Sequence, residues 1–176
     1  MRKIQKIAIV GFVIFLIFLA FLYIQLGGAD KVEIIKTTSE AYLLIGKKYA
    51  GKRSKRDFKK LMDEVAGLVK TNQLKGTFAV YHFINPDSEQ DTLSSIVGVI
   101  TDTSPQIPMQ DFTIEQIPTS EIVRATIKSH WLVAPNPAEV NKQIRDFAEK
   151  SHLSLSDKIL EKYYEDKEIV TEVAIR

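Results

Sequence analysis

From residue 7 to residue 24 the chain reads IAIVGFVIFLIFLAFLYI, eighteen positions without a charge or a proline. At ~1.5 Å per residue such a run nearly crosses a ~30 Å hydrocarbon core. Arg2, Lys3 and Lys6 precede it, no acid occurs before Asp30, and Tyr23 sits near its end, where interfacial rings settle. The rival reading is a cleaved signal peptide, with small residues at Gly27-Gly28-Ala29. The run exceeds the ~7–15 residues of a signal's apolar segment, which favours an uncleaved anchor. The pattern thus predicts a transmembrane helix over about 6–26, single-pass membrane localisation and membrane lipid as a partner. The basic flank outnumbers Lys31 and Lys36 by one residue, which places Met1 on the cytoplasmic side, while the side of the soluble domain stays open.

After a short linker at 27–30 the period changes. Apolar alternation predicts strands over 32–36 and 41–47, with a turn between. Phe58, Leu61, Met62, Val65, Leu68 and Val69 recur at steps of three and four, which predicts an amphipathic helix over 55–72, with Ser54 as its N-cap and Asp57 reaching back. Strands follow over 74–84 and 93–101, then a stretch at 101–110 with Pro105, Pro108 and no period. The order then repeats. Strands are predicted at 112–117 and 122–129, a helix over 137–150 with Asn136 as cap and Pro137 at its first position, and strands near 158–164 and 168–175.

The repetition reaches the residues. Thr38-Ser39-Glu40 recurs as Thr119-Ser120-Glu121, Ser54-x-x-Asp57 as Asn136-x-x-Glu139, and Tyr81 as Tyr163, at offsets of 81, 82 and 82. Each half closes on a β-branched run, at 95–101 and 169–175. Matches in the same order at nearly constant offset indicate two copies of one supersecondary unit. The fold class expected is α+β, with a mostly antiparallel sheet, both helices on one face and a pseudo-twofold between repeat 1 (about 32–101) and repeat 2 (about 112–176). The seam between the copies is a natural pocket.

Composition changes the picture in two places. All three ionisable side chains before the linker are basic; without them 21 Lys and Arg face 22 Asp and Glu. The pI of 8.7 is therefore no nucleic-acid footprint, and no nucleic-acid partner is expected. Zero cysteines exclude disulfides, thiolate metal ligands and cysteine nucleophiles. His82, His130 and His152 have no metal-ligand spacing and no phosphate-binding glycine loop occurs, so no metal, cofactor or catalytic set is expected. One charged patch stands out: Lys47, Lys48, Lys52, Arg53, Lys55, Arg56, Lys59 and Lys60 against Asp57 alone. On a tethered domain this stretch suits contact with an anionic surface or an acidic partner; otherwise it is a solvated loop and the outer face of a helix.

The later half carries Glu161-Lys162-Tyr163, then Glu165-Asp166, then Glu172-Val173-Ala174-Ile175; the earlier half carries Tyr81, Asn85-Pro86-Asp87 and Ile96-Val97-Gly98-Val99 in the same order. With these residues, 30–176 resembles the GyrI-like small-molecule-binding domain, the effector-binding domain of multidrug-responsive transcription activators. The resemblance implies two tandem β-α-β-β units and a pocket glutamate at Glu161 that pairs with cationic or polar ligands. Spacing adds to it: residues two apart on a strand share a face, so Glu161 and Tyr163 point the same way. A carboxylate beside a ring suits an amphipathic cation. The alternative is an ordinary surface acid. Trp131 stands where the family has a glycine-containing turn, and is either a cleft wall or a core anchor. Tyr42 and Tyr81 are expected to line the cleft from the first half, which has Ala79 where an offset of 82 from Glu161 falls.

Three functions compete. The first is a membrane-anchored binding module for a small amphipathic, in particular cationic, molecule, with no catalysis of its own; an apolar run rather than a helix-turn-helix precedes the domain. The second is a hydrolase of the cyclopropanoid-toxin-hydrolase type, which the resemblance also allows, with Glu161 directing water. The third is a membrane-tethered interaction adaptor, ranked last because no long polar tail follows the final strand in this sequence.

Overall fold

The computed structural model describes residues 2–28, 31–52, 56–84, 92–101, 111–129, 133–164 and 168–176. In chain order the elements are α1 (Arg2–Gln25), β1 (Glu33–Thr38), β2 (Tyr42–Lys52), α2 (Arg56–Lys70), β3 (Thr77–Phe83), β4 (Thr92–Ile100), β5 (Thr113–Ile117), β6 (Glu121–Lys128), α3 (Pro137–Lys150), β7 (Leu155–Tyr163) and β8 (Glu168–Ile175). The expected α+β class with an antiparallel sheet is observed. The strands form one eight-stranded sheet in the order β1-β6-β8-β7-β3-β4-β2-β5, and every neighbouring pair is antiparallel.

That order has a property that follows from the duplication. Exchanging β1–β4 with β5–β8 turns it into its own reverse. The β3–β7 ladder lies at the centre, and β1 and β5 have each crossed to the other half, pairing with β6 and β2. The repeated Thr-Ser-Glu strings meet at one of these crossings: the Ser39 N–H donates to the Ser120 carbonyl at 2.9 Å, and the Ser120 N–H donates to Ser39 Oγ at 3.2 Å.

Local sequence explains the helices. Asp57 and Lys70 sit in the first and last turns of α2, and Glu139 and Lys150 in those of α3, each on the side the helix dipole favours. Asn136 caps α3 by accepting from the Ala138 N–H at 2.9 Å, ahead of Pro137. The Ser54 cap expected for α2 lies outside the described residues. Each helix is followed by a residue with positive φ, Asn72 at 56° and His152 at 53°. This left-handed step reverses the chain. After it, the Leu74 N–H reaches Leu68 O and the Leu153 N–H reaches Ala148 O.

Both helices cover the same face of the sheet. Val65 of α2 packs with Leu74, Val80, Val97 and Val99, and Val140 and Ile144 of α3 pack with Val123, Ala125, Ile159 and Val173. The opposite face carries its own cluster of Leu44, Ala79, Tyr81, Ile96 and Leu160. Between β2 and β4 on that face Gly46 stands opposite Gly98. A Cβ on Gly98 would lie 2.1 Å from the Ile45 carbonyl oxygen, and one on Gly46 would lie 2.4 Å from that of Val97, so this close approach requires glycine on both strands.

The opposite face also buries charge. Glu172 accepts from Lys162 at 2.7 Å and from Arg124 at 2.9 Å, and Lys162 donates to the Tyr42 hydroxyl at 3.1 Å. Lys162 and Glu172 are each 4% exposed. Burial pushes the Lys162 ammonium down, but the hydrogen bond and charge of Glu172, with the Tyr42 hydroxyl, outweigh it and hold the group above its ordinary 10.5. Tyr81 is also raised, from 10.0, by burial and then by the charge of Glu115.

The membrane expectation is corrected. The apolar run does form the helix α1, and its large side chains are exposed. Among the described residues, however, no helix is long and apolar enough to cross a membrane. The single-pass localisation, the orientation of Met1 and the lipid partner fall with it. A smaller difference concerns the basic stretch. Read as loop from residue 48, it continues β2 to Lys52, because an outer strand can keep Lys48 and Lys52 in water while its backbone pairs with β4.

Two outcomes test the charged face. Glu172→Gln leaves the buried Lys162 without its counter-charge and lowers the unfolding free energy by about 3–5 kcal/mol, whereas Lys162→Met combined with Glu172→Leu recovers most of the loss; urea denaturation of the native chain and the two variants measures both. With its folded pKa raised, Lys162 contributes stability that is complete below 10.5 and lost as pH rises through the folded value. Tyr81 acts with the same sign, since above 10.0 the unfolded chain ionises first. Melting temperature should therefore fall as pH rises beyond about 10, and the Lys162→Met and Tyr81→Phe changes together should flatten that limb.

Candidate functional site

The site grows out of β7. Alternation along this strand sends Lys158, Leu160 and Lys162 to the face away from the helices, and Ile159, Glu161 and Tyr163 to the helix-covered face. Glu161 stands opposite Val80 and Tyr163 opposite Phe78. Glu161 is 6% exposed, and the Tyr163 hydroxyl donates to its Oε2 at 2.7 Å. The same oxygen lies 3.5 Å from His82 Nε2, whose ring turns its Nδ1 to Ser95 Oγ at 2.8 Å. A buried polar chain, Ser95–His82–Glu161–Tyr163, thus runs across the junction of the two halves. Ser95 is 2% exposed, so its hydroxyl serves this chain rather than an approaching substrate.

Above Glu161 opens a cavity of about 390 Å³. Its walls are the start of α3 (Asn136, Pro137, Val140), the preceding Ala134 and Pro135, Ile127 of β6, and Ile169 and Thr171 of β8, with Glu161 and Tyr163 as floor. Glu161 is the only Asp, Glu, Lys or Arg among these lining residues. The arrangement is an apolar chamber with one acid at its base, already oriented by a phenol and an imidazole.

The exchange that relates the halves maps this place onto β2, β3, β4 and the start of α2. There the Phe58 ring packs on Tyr49 at 5.0 Å and faces His82 at 6.5 Å.

Of the residues singled out from sequence, Glu161 and Tyr163 meet in this cavity. Trp131 lies outside the described residues, as do Glu165, Asp166 and 85–87. Tyr42 and Tyr81 do not share the site. Tyr81 is on the opposite face with Leu44 and Leu160, and Tyr42 holds Lys162 there, with the ammonium 4.7 Å from its ring centre. The equivalence of Tyr81 with Tyr163 is corrected for the same reason. The helix-covered positions of β3 are even-numbered and those of β7 odd-numbered, so an offset of 82 joins residues on different faces. His82 and Ser95 were missed. Strand alternation places His82 on the face of Val80, but only the β3–β7 register shows that Glu161 is beside it.

In the basic stretch, Lys47 pairs with Glu64 of α2 at 2.8 Å and lies 5.3 Å from the Phe112 ring centre, while 53–55 are outside the described residues. Among the described residues no group of three His or acidic side chains is placed to hold a metal ion.

No protein-family model matches the chain, and no curated protein sequence does. Solved structures do. The C-terminal domain of EcmrR superposes with a TM-score of 0.60 at 9% identity, over 82% of this chain and 98% of that one. SAV2435, solved bound to tetraphenylphosphonium, gives 0.53 at 10% identity, over 82% and 94%. A hydrolase from Listeria innocua gives 0.50 at 10% identity, over 83% and 93%. At these identities the likeness establishes a common fold.

Proposed function

We propose that residues 30–176 form a ligand-binding domain that takes a small amphipathic cation into the cavity above Glu161. The observation that carries this reading is the nearly buried Glu161 carboxylate in a mostly apolar chamber whose other described lining residues carry no charge. A cation with apolar substituents satisfies both features at once: its charge meets the acid where little water competes, and its substituents cover Ile127, Val140 and Ile169. The fold shared with SAV2435, which binds tetraphenylphosphonium, supports the same class of ligand.

A hydrolase reading has one observation of its own. Glu161 is held from two sides, by Tyr163 and by His82, as a base that directs water must be. The fold shared with the Listeria hydrolase is compatible with it.

The test is calorimetric titration of the chain with tetraphenylphosphonium and with neutral triphenylphosphine oxide. One charge-assisted contact is worth about 1.5–3 kcal/mol, so Glu161→Gln should weaken the cation roughly ten- to a hundredfold and leave the oxide nearly unchanged. An unchanged affinity for the cation would sink the proposal. Should some substrate be turned over by the native chain and still bind, unturned, to Glu161→Gln, the hydrolase reading takes its place.

A further inference from the structure

Beside Glu161 stands a buried imidazole whose two nitrogens both have partners. His82 and Ser95 face each other across the β3–β4 ladder, and both are buried. His82 Nδ1 lies 2.8 Å from Ser95 Oγ, and Nε2 lies 3.5 Å from Glu161 Oε2. Among the described residues, β7 also brings Ile159 opposite His82, and Tyr163, whose hydroxyl holds Glu161. From α2 the Phe58 ring meets His82, with Tyr49 of β2 behind it. The charged side chains of these two elements lie apart from the imidazole in pairs or in water: Lys47 pairs with Glu64 and Lys60 with Asp57, while Lys48, Lys52, Arg56, Lys59 and Asp63 are exposed.

A neutral imidazole has one N–H and one bare nitrogen, whereas an imidazolium has two N–H groups. A carboxylate only accepts, so Nε2 meets Glu161 favourably when it carries the proton. Nδ1 is then bare in the neutral ring and protonated in the imidazolium. A serine hydroxyl suits both: it donates to a bare Nδ1 and accepts from a protonated one. A backbone carbonyl in that place could only accept. With Ser95 there, His82 can gain or lose a proton at Nδ1 while both of its contacts persist, and only the hydroxyl hydrogen turns.

We infer that Ser95 and His82 form a proton-operated clamp on Glu161: protonation of His82 at Nδ1 neutralises the acid from within, and a cation entering the chamber expels that proton to solvent. This rests on the ligand class proposed above and adds its regulation. An imidazolium 3.5 Å from the carboxylate and a cation in the chamber compete for one negative charge where little water screens them. Binding and protonation are therefore reciprocal: the cation releases a proton, and acid releases the cation. A neutral ligand meets no such competition. The coupling depends on the approach of His82 to Glu161 and not on a count of the charges around them.

The experiment has two arms, both on the whole chain. In the first, the ring-nitrogen NMR shifts of the histidines are followed from about pH 8 to about pH 5, with His82 assigned by its loss in His82→Gln. The neutral ring should carry its proton on Nε2, and acidification should add one at Nδ1 while the fold persists. Ser95→Ala leaves a protonated Nδ1 without its acceptor and should delay that step by about one pH unit. A neutral ring protonated on Nδ1, or one that stays neutral to about pH 5, refutes the clamp. In the second arm, tetraphenylphosphonium is titrated calorimetrically in two buffers of different ionisation enthalpy, at the pH where His82 is half protonated. Roughly half a proton should leave per cation bound, with none for His82→Gln and none for neutral triphenylphosphine oxide. Equal release from the native chain and His82→Gln, or release from neither, refutes the coupling. If tetraphenylphosphonium binds neither protein, the ligand class falls, and the nitrogen shifts alone decide the clamp.

Discussion

β3 and β7 pair antiparallel at the centre of the sheet, with Phe78 opposite Tyr163, Val80 opposite Glu161 and His82 opposite Ile159. The register of this one ladder decides what each face of the molecule contains. It joins the halves, and it sends Glu161 toward the helices while Lys162 goes the other way. A slip of one residue would reverse every assignment on β7. Glu161 would leave Tyr163's chamber, and Lys162 would be driven beneath the helices without Glu172. Burial on both faces holds the register: Val80 and Ile159 are locked under the helices, Ala79, Tyr81 and Leu160 beneath them.

Each face buries an acid, and the two acids are treated differently. Glu172 faces two cations, Lys162 and Arg124. Glu161 faces a phenol and an imidazole. The first arrangement pairs one acid with two cations in a closed ion cluster, and apolar replacement of its buried Lys162–Glu172 pair costs little. The second fixes the carboxylate's position and sets it beside an open chamber.

Much of this was legible in the chain, for identifiable reasons. The helices are strongly patterned and one is capped by Asn136-Pro137, so their positions could be read to within about a turn. The i, i+2 spacing of Glu161 and Tyr163 was enough to put them on one face. What failed were inferences that needed the partner strand. Tyr81 and Tyr163 look like copies in a linear comparison, but strand alternation makes the parity of the offset decisive, and an even offset crosses the sheet. Tyr42 appears as a free aromatic until β7 delivers Lys162 beneath it. The outer part of β2 was hidden by its lysines, whose charges resemble a loop while the backbone pairs with β4. The apolar run at the start gave the right helix and the wrong setting for it.

The crossing of β1 and β5 has a consequence for how such a molecule can arise and come apart. Because β1 completes the second half and β5 completes the first, neither half is a finished structure. Each lacks an edge that only the other supplies, and each would expose the central strand that becomes β3 or β7. A single unit would have been sticky in a directed way, able to close only by trading its first strand with a twin. The duplicated chain carries that twin with it, which turns a concentration-dependent association into an internal one and frees the two copies to diverge. In the present chain one half carries the chamber beside Glu161, and the other packs Phe58 on Tyr49.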